Sequence, residues 1–305
     1  MKFCAADEED VLLQIFPGDE ELKAEDINFG RTIDAAMNME GDLGTNFELD
    51  YSFISYDAPS LLEPITMRQL VRKGIAHQVW PAAIILCKYI EDNRKSIFPE
   101  FPGSLVIELG AGTGLTGLYC SRIGCENVYI TDLPEAIENM SFNISNNNLV
   151  NRVHAKVLRW GVAEDVQDMN MIISNHLRKS SSNSCVVLAT DCLYWEQLFT
   201  PFFNTIISLL EFDSDLDKKE CSTNDTVNCR CENKVNAPVI YLTYVRRWKK
   251  INKFFKMFHK YPNITVTVLK EDIEWVEDEQ TKQRIRVISR ICSITKCVNQ
   301  SNSRS

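Results

Sequence analysis

The chain has little of what would direct it to a membrane, a metal or an oxidising compartment. It contains no apolar run long enough to span a bilayer. Its start, Met1-Lys2-Phe3-Cys4-Ala5-Ala6, runs into Asp7-Glu8-Glu9-Asp10 rather than into the apolar stretch of a secretion signal. No unit recurs at a fixed period. The four histidines, His77, His154, His176 and His259, lack metal-ligand spacing and are expected at surface or core positions. Positive charge is also short: 33 basic against 42 acidic residues give a net charge of −9. That field repels a phosphate backbone and disfavours nucleic acid as the main partner.

Apolar residues, at 45% of 305, are sufficient for one substantial core. A single soluble, monomeric domain with appendages is expected. The 11 cysteines are irregularly spaced, which predicts reduced thiols in a cytoplasmic or nuclear protein rather than a disulfide framework. Cys221, Cys229 and Cys231 have no paired C-x-x-C and no nearby histidine, so they make a poor tetrahedral zinc site.

Two segments fall outside the expected domain at 51–298, and a third interrupts it. Residues 1–50 are acidic and irregular, which predicts a loosely ordered extension, with a docking arm for a basic partner as the alternative. Residues 211–237 are polar and read as a surface insertion, and 299–305 as a frayed tail.

The organising stretch is Val106-Ile107-Glu108-Leu109-Gly110-Ala111-Gly112-Thr113-Gly114-Leu115. An apolar strand ends in an acid, passes three alternating glycines and enters a helical pattern. Without Cβ atoms the backbone can take unusual angles and approach a bound molecule closely. The dinucleotide fingerprint G-x-G-x-x-G would need its third glycine one position later. After Gly124, Val128-Tyr129-Ile130-Thr131-Asp132 is a second strand ending in an acid. An acid there, about 20 residues beyond the turn, is placed to accept hydrogen bonds from a ribose diol. Capping of the helix that follows is the competing role for Asp132.

The pattern then repeats. Val153–Leu158 predicts a third strand, followed by Arg159-Trp160-Gly161, where Trp160 either covers a flat base or caps the core. Residues 164–183 read as polar or weakly helical. Cys185–Asp191 is an apolar strand with Asp191-Cys192-Leu193-Tyr194 at its tip, and Val239–Val245 is a further strand before a helix expected over 248–260. Alternation over 264–269 and 284–294 predicts two more strands, joined by the acidic stretch 271–278 without a helix, hence an antiparallel hairpin. Ahead of all these, Ile65–Leu70 alternates like a strand, and Pro81 suits the first turn of a helix with Trp80 at its entrance. In open parallel sheets ligands bind at the carboxyl tips of the strands, which is where the acids lie.

In this order, Val79-Trp80-Pro81-Ala82, Glu108 through Leu115, Thr131-Asp132, Leu158-Arg159-Trp160-Gly161 and Asp191-Cys192-Leu193-Tyr194 resemble the signature set of the methyltransferase-like protein-lysine methyltransferases. These belong to the class I, seven-β-strand, S-adenosylmethionine-dependent enzymes. The resemblance covers about 60–295, and Ala155–Gly161 and Ala189–Glu196 are most similar to the branch that acts on the AAA ATPase valosin-containing protein. It implies an α/β fold with a Rossmann-like, mostly parallel seven-stranded sheet, a C-terminal antiparallel hairpin and helices on both faces. The implied cofactor is S-adenosylmethionine, and the implied partner is a protein substrate such as a chaperone, elongation factor or AAA ATPase. Carried over by position, Glu108, Gly110, Gly112 and Gly114 would surround the amino-acid portion of the donor. Asp132 would bind its ribose, Trp80 and Trp160 would lie near its sugar or base, and Ala189 is placed with the cofactor-binding positions. Asp191 and Tyr194 would stand where donor and acceptor lysine meet.

Methyl displacement from a sulfonium requires no metal and no oxyanion hole. A lysine acceptor must first become neutral, against a reference pKa of about 10.4. Asp191 and Tyr194 are expected to align the amine, with proton loss through water; a general-base role for Asp191 stays open. The fold leaves other acceptors open as well: arginine, histidine, RNA or a small molecule. A non-catalytic cofactor-binding module is the alternative of a different class.

Overall fold

The computed structural model describes residues 51–179, 184–211, 237–246, 250–277 and 284–297. The extension expected over 1–50, the body of the insertion at 211–237 and the tail at 299–305 lie outside them.

Nine strands and six helices follow one another along the described chain. β1 (Ser52–Tyr56) and β2 (Ile65–Gln69) form a separate antiparallel pair. Then come α1 (Pro81–Ile97), β3 (Leu105–Leu109), α2 (Leu115–Arg122), β4 (Asn127–Asp132), α3 (Ile137–Asn146), β5 (Val153–Val157), α4 (Ala163–Lys179), β6 (Cys185–Thr190), α5 (Phe199–Leu210), β7 (Val239–Arg246), α6 (Ile251–Lys256), β8 (Ile264–Glu277) and β9 (Arg284–Lys296). The main sheet has seven strands in the order β5-β4-β3-β6-β7-β9-β8. β5 to β7 are mutually parallel, whereas β9 is antiparallel to both β7 and β8. The expected sheet and closing hairpin are therefore present.

β3 and β6 lie at the centre because their sequences, LVIEL and CVVLAT, can be covered on both faces. Leu105, Ile107, Leu109, Val187 and Ala189 point into one core with α4, α5 and α6. Val106, Val186 and Leu188 point into the other, with α1, α2 and α3. The first core is closed by an aromatic cluster in which Phe254 meets Phe199, Phe202, Phe203, Phe255 and Phe258 at centroid separations of 5.8, 5.6, 6.2, 5.4 and 5.6 Å. Burying each such ring contributes roughly 1.5–3 kcal/mol.

Three local expectations change. The stretch 164–183 is an ordinary amphipathic helix through Lys179, with Val166, Met169, Ile173 and Leu177 buried at helical spacing. The helix expected over 248–260 is one short α-helix, Ile251–Lys256, followed by a 3-10 turn, Met257–Lys260. The acidic stretch after 270 is not a connector: β8 continues through it to Glu277, since Glu271 pairs with Arg290 while Ile273 and Trp275 maintain the alternation.

Candidate active site

The parallel register aligns the strand tips: Leu109 lies beside Thr131 on one side and Ala189 on the other, and Thr190 beside Thr243. β3 is where the strand order reverses, so the connections from β3 and β6 leave toward opposite faces. The cleft expected at this switch point is bordered by the glycine turn and the tips of β4, β5 and β6, which touch one another there.

The turn needs its glycines for two separate reasons. Gly110, Gly112 and Gly114 have φ of +61°, +56° and +90°, a region that L side chains rarely adopt. Close contacts also leave no space: a Cβ on Gly110 would lie 2.7 Å from Trp160 Cζ2 and 3.1 Å from Cys192 Sγ, and one on Gly112 would lie 3.1 Å from the Ala76 carbonyl oxygen. Trp160 is thus brought against the turn from β5, Cys192 from β6 and Ala76 from the segment before α1. Trp80, at the entrance of α1, holds that segment by donating its indole N–H to the Ile75 carbonyl at 2.8 Å.

Asp132 ties β4 to the same turn. Its Oδ2 accepts the Gly112 N–H at 2.7 Å and its Oδ1 the Leu133 N–H at 2.7 Å. Burial raises its pKa, and these two N–H groups oppose the rise. A carboxylate has about four acceptor sites, so capacity remains for two ligand hydroxyls.

Asp191 ends β6 in a left-handed conformation, φ +57°, uncommon for a residue with a side chain. It is buried; its N–H donates to the Thr243 carbonyl at 2.9 Å, and its Oδ1 accepts the Val245 N–H at 3.4 Å. Such a conformation persists only where the surroundings fix it, and it clusters at functional sites. Tyr194 is half-buried with its ring 5.4 Å from that of Trp195. Burial raises its pKa, as do the neighbouring Cys192 and Asp132, so it presents a neutral hydroxyl at physiological pH.

Two predicted site residues sit elsewhere than at the cleft surface. Glu108 is fully enclosed, on the α2 side of the sheet, and accepts the Gly117 N–H at 2.8 Å. Burial pushes its carboxyl up to about 7, against the Gly117 N–H and the Thr116 hydroxyl, which hold it down. Ala189 is likewise enclosed, in the core under α4 and α5. Glu108 ties β3 to the first turn of α2, and Ala189 lies beside Leu109 in the sheet, so neither faces the glycine turn itself. Sequence reading missed two residues that touch it: Cys192, whose thiol donates to the Leu109 carbonyl at 3.4 Å, and Asn143, whose Nδ2 donates to the Thr113 carbonyl at 3.0 Å. For Asn143 a signal was available in the spacing 139, 143, 147, which places asparagine on one face of α3 at every turn.

These residues fit a nucleoside-bearing methyl donor. The cradle excludes Cβ atoms, a carboxylate with spare acceptor capacity borders it, and the Trp160 ring, 4.7 Å from that of Phe202, offers a flat apolar wall. Among the described residues no group of three His, Cys, Asp or Glu is placed to hold a metal ion.

A family model described as lysine methyltransferase matches residues 62–217. The protein-lysine methyltransferase METTL21E of Mus musculus is 38% identical over 119 residues, covering 38% of this chain and 44% of that protein. EEF1A lysine methyltransferase 3 of Xenopus tropicalis is 36% identical over 139 residues, covering 43% of this chain and 58% of that protein. The chain thus spans less than two thirds of the length of these curated relatives. Among solved structures, the SAM-dependent methyltransferase of Agrobacterium tumefaciens is similar with a TM-score of 0.45 and 13% identity, over 81% of this chain and 70% of that one. The matched family region begins before β2 and includes the glycine turn, Asp132, Trp160 and the Asp191–Tyr194 tip, and the chain belongs to the lysine methyltransferase family.

Proposed function

We propose that the protein transfers a methyl group from S-adenosylmethionine to a lysine side chain of a protein. The observation that carries this reading is the cradle itself: a left-handed glycine turn enclosed by Trp160, Cys192 and Ala76 and hydrogen-bonded to Asp132, in a chain of the lysine methyltransferase family. When bound, S-adenosylmethionine supplies a methyl on a positively charged sulfur.

The remaining work falls to the chain. Asp132 receives ribose hydroxyls with its spare acceptor capacity, and Gly110, Gly112 and Gly114 keep side chains away from the amino-acid portion. Trp160, against Gly110, and Trp80, which holds the covering segment through Ile75, would border the sugar and base, while Glu108 and Ala189 hold β3 to α2 and to β6. Asp191 draws the ammonium of the incoming lysine to the tip of β6. Its charge opposes deprotonation of that lysine, so Asp191 orients the acceptor and water takes the proton. Tyr194, kept protonated by burial, cannot be the base; its hydroxyl oxygen accepts one amine hydrogen and turns the nitrogen lone pair toward the methyl. Alignment of this kind lowers the barrier by about 7–11 kcal/mol at most.

A protein acceptor is supported by the rim. Val71, Ile75, Leu133 and Trp195 are exposed apolar residues on the connections around the cleft, Trp195 at 51%. The β8–β9 arm extends past Arg246, the end of β7, on the same edge, with Ile273 and Trp275 exposed. Apolar surface gathered round a site suits a macromolecular substrate. The described cysteines are all unpaired thiols, which fits a reducing compartment, and we place the protein in the cytoplasm or nucleus, acting as a monomer.

The test uses purified protein with methyl-labelled S-adenosylmethionine and a cell extract, followed by proteolysis and location of the label. Label on lysine of a discrete protein supports the reading. Label removed by ribonuclease, or retained on a small molecule, overturns the acceptor, and donor binding without transfer overturns the activity.

A further inference from the structure

Three buried asparagines, Asn139, Asn143 and Asn147, lie at four-residue spacing along α3 and its C-cap. Buried carboxamides are costly unless satisfied, and each of these faces β2. The Thr66 N–H donates to Asn147 Oδ1 at 3.0 Å, and Asn147 Nδ2 donates back to the Thr66 carbonyl at 2.8 Å. One step along, the Arg68 N–H donates to Asn143 Oδ1 at 2.7 Å, while Asn143 Nδ2 reaches the Arg68 carbonyl at 3.3 Å. Asn139 Nδ2 also donates to the Arg68 carbonyl, at 3.1 Å, and accepts from Arg68 Nε at 2.9 Å. The row of carboxamides thus meets the backbone of β2 on alternate residues, as a neighbouring strand would.

Among the three, Asn143 alone bonds the glycine turn, whereas Asn147 Nδ2 also donates to the Asn143 carbonyl at 2.8 Å, at the end of α3. Asn143 Nδ2 donates to the Thr113 carbonyl at 3.0 Å, and Thr113 lies between Gly112 and Gly114, both left-handed. A turn of alternating glycines has many accessible conformations, and something outside it must select one. β2 leads directly into the 70–80 segment, whose Ala76 carbonyl packs on Gly112 and whose end carries Trp80. Asn143 therefore bonds both walls of the cradle, the glycine turn through Thr113 and the covering segment through Arg68.

We propose that Asn143 is a positioning residue for the methyl-donor site: it holds the Gly112–Gly114 backbone at a fixed distance from the segment that covers it. The proposal rests on the donor reading above for its ligand, and on the hydrogen bonds alone for its mechanics.

The test compares Asn143→Asp with Asn147→Asp in the full chain. Both keep size and one acceptor oxygen, and both lose the donating NH2 opposite backbone carbonyls, but only the first touches the glycine turn. Titration with S-adenosylhomocysteine, thermal melting and hydrogen exchange of the turn amides are read on both. Expected are similar losses of melting temperature, a dissociation constant raised about tenfold or more for Asn143→Asp and less than about threefold for Asn147→Asp, and faster exchange at 110–115 in Asn143→Asp alone. Equal weakening by both variants, or unchanged exchange at the turn in Asn143→Asp, overturns the proposal. If the aspartates do not fold, Asn143→Ala and Asn147→Ala give the same comparison without added charge. Failure of the wild type to bind S-adenosylhomocysteine would sink the donor reading, and the exchange measurement would still decide the role of Asn143.

Discussion

Glu108 is a carboxyl held where water does not reach, and its burial gives it a pH signature. Its pKa rises from 4.5 to about 7 on folding. Between those values the folded chain keeps a proton that the unfolded chain has released, so stability falls as pH rises through the window and levels off above it. The loss is about 3 kcal/mol at most, from 1.36 kcal/mol per unit. Glu108→Gln should flatten the melting temperature between pH 5 and 7. Asp132, also raised, remains in both proteins, so subtracting the two curves isolates Glu108. An unchanged slope in the variant would remove Glu108 as the source. For Asp132 the expectation concerns binding. Asp132→Asn turns one acceptor oxygen into a donor facing a backbone N–H and removes the charge, which should weaken S-adenosylhomocysteine by about 10–100-fold in calorimetry. The glycines, Asp132 and Trp160 were legible because each follows a strand directly in sequence. Cys192 was not, because its partner Leu109 lies 83 residues away, and the asparagine spacing that marks Asn143 does not point to its partner Thr113, 30 residues away.

Among elements, legibility followed the strength of the local pattern. The apolar strands Leu105–Leu109 and Cys185–Thr190 and the helix opening at Pro81 were found because their burial leaves a mark on every residue. β8 was cut short because its acids, Glu271, Asp272 and Glu274, suggested a connector; what makes that stretch a strand is the facing β9, with Glu271 opposite Arg290 and Trp275 opposite Arg286. α6 has only six residues, too few to persist alone, and owes its form to packing rather than propensity. Phe254 is fully buried among the rings of α5 and the turn after α6. Phe254→Ala should therefore cost about 3–5 kcal/mol in denaturant unfolding, and a loss below 1 kcal/mol would mean that α6 is not anchored by this cluster.

Across the whole molecule, strand–helix alternation predicted the parallel sheet and the missing final helix predicted the hairpin, since a parallel neighbour needs a crossover and an antiparallel one does not. The edge on which the hairpin projects was not readable, because it depends on how far β8 and β9 outrun β7. That edge is the one bearing the cleft, and Trp275, 60% exposed, lies two residues beyond the pairing of Arg246 with Ile288. Trp275→Ala should raise KM for the protein acceptor several-fold while kcat and donor affinity stay within about twofold, as for loss of an interface side chain that makes no contact with the reacting atoms. A matching fall in kcat would place Trp275 in the chemistry instead.

The hairpin also differs from the rest of the rim in what limits its length. Each loop after a parallel strand is tethered to a helix packed on the sheet, so lengthening it disturbs a core. Among the described residues, β8 and β9 pair as strands only with each other beyond Arg246, and Ile273, Trp275 and Val287 belong to neither core, so facing pairs can be added or removed there outside both cores. Under the proposed function, a change of acceptor would need only growth or trimming of one ribbon, with the glycine turn on the far side of β6 left as it is.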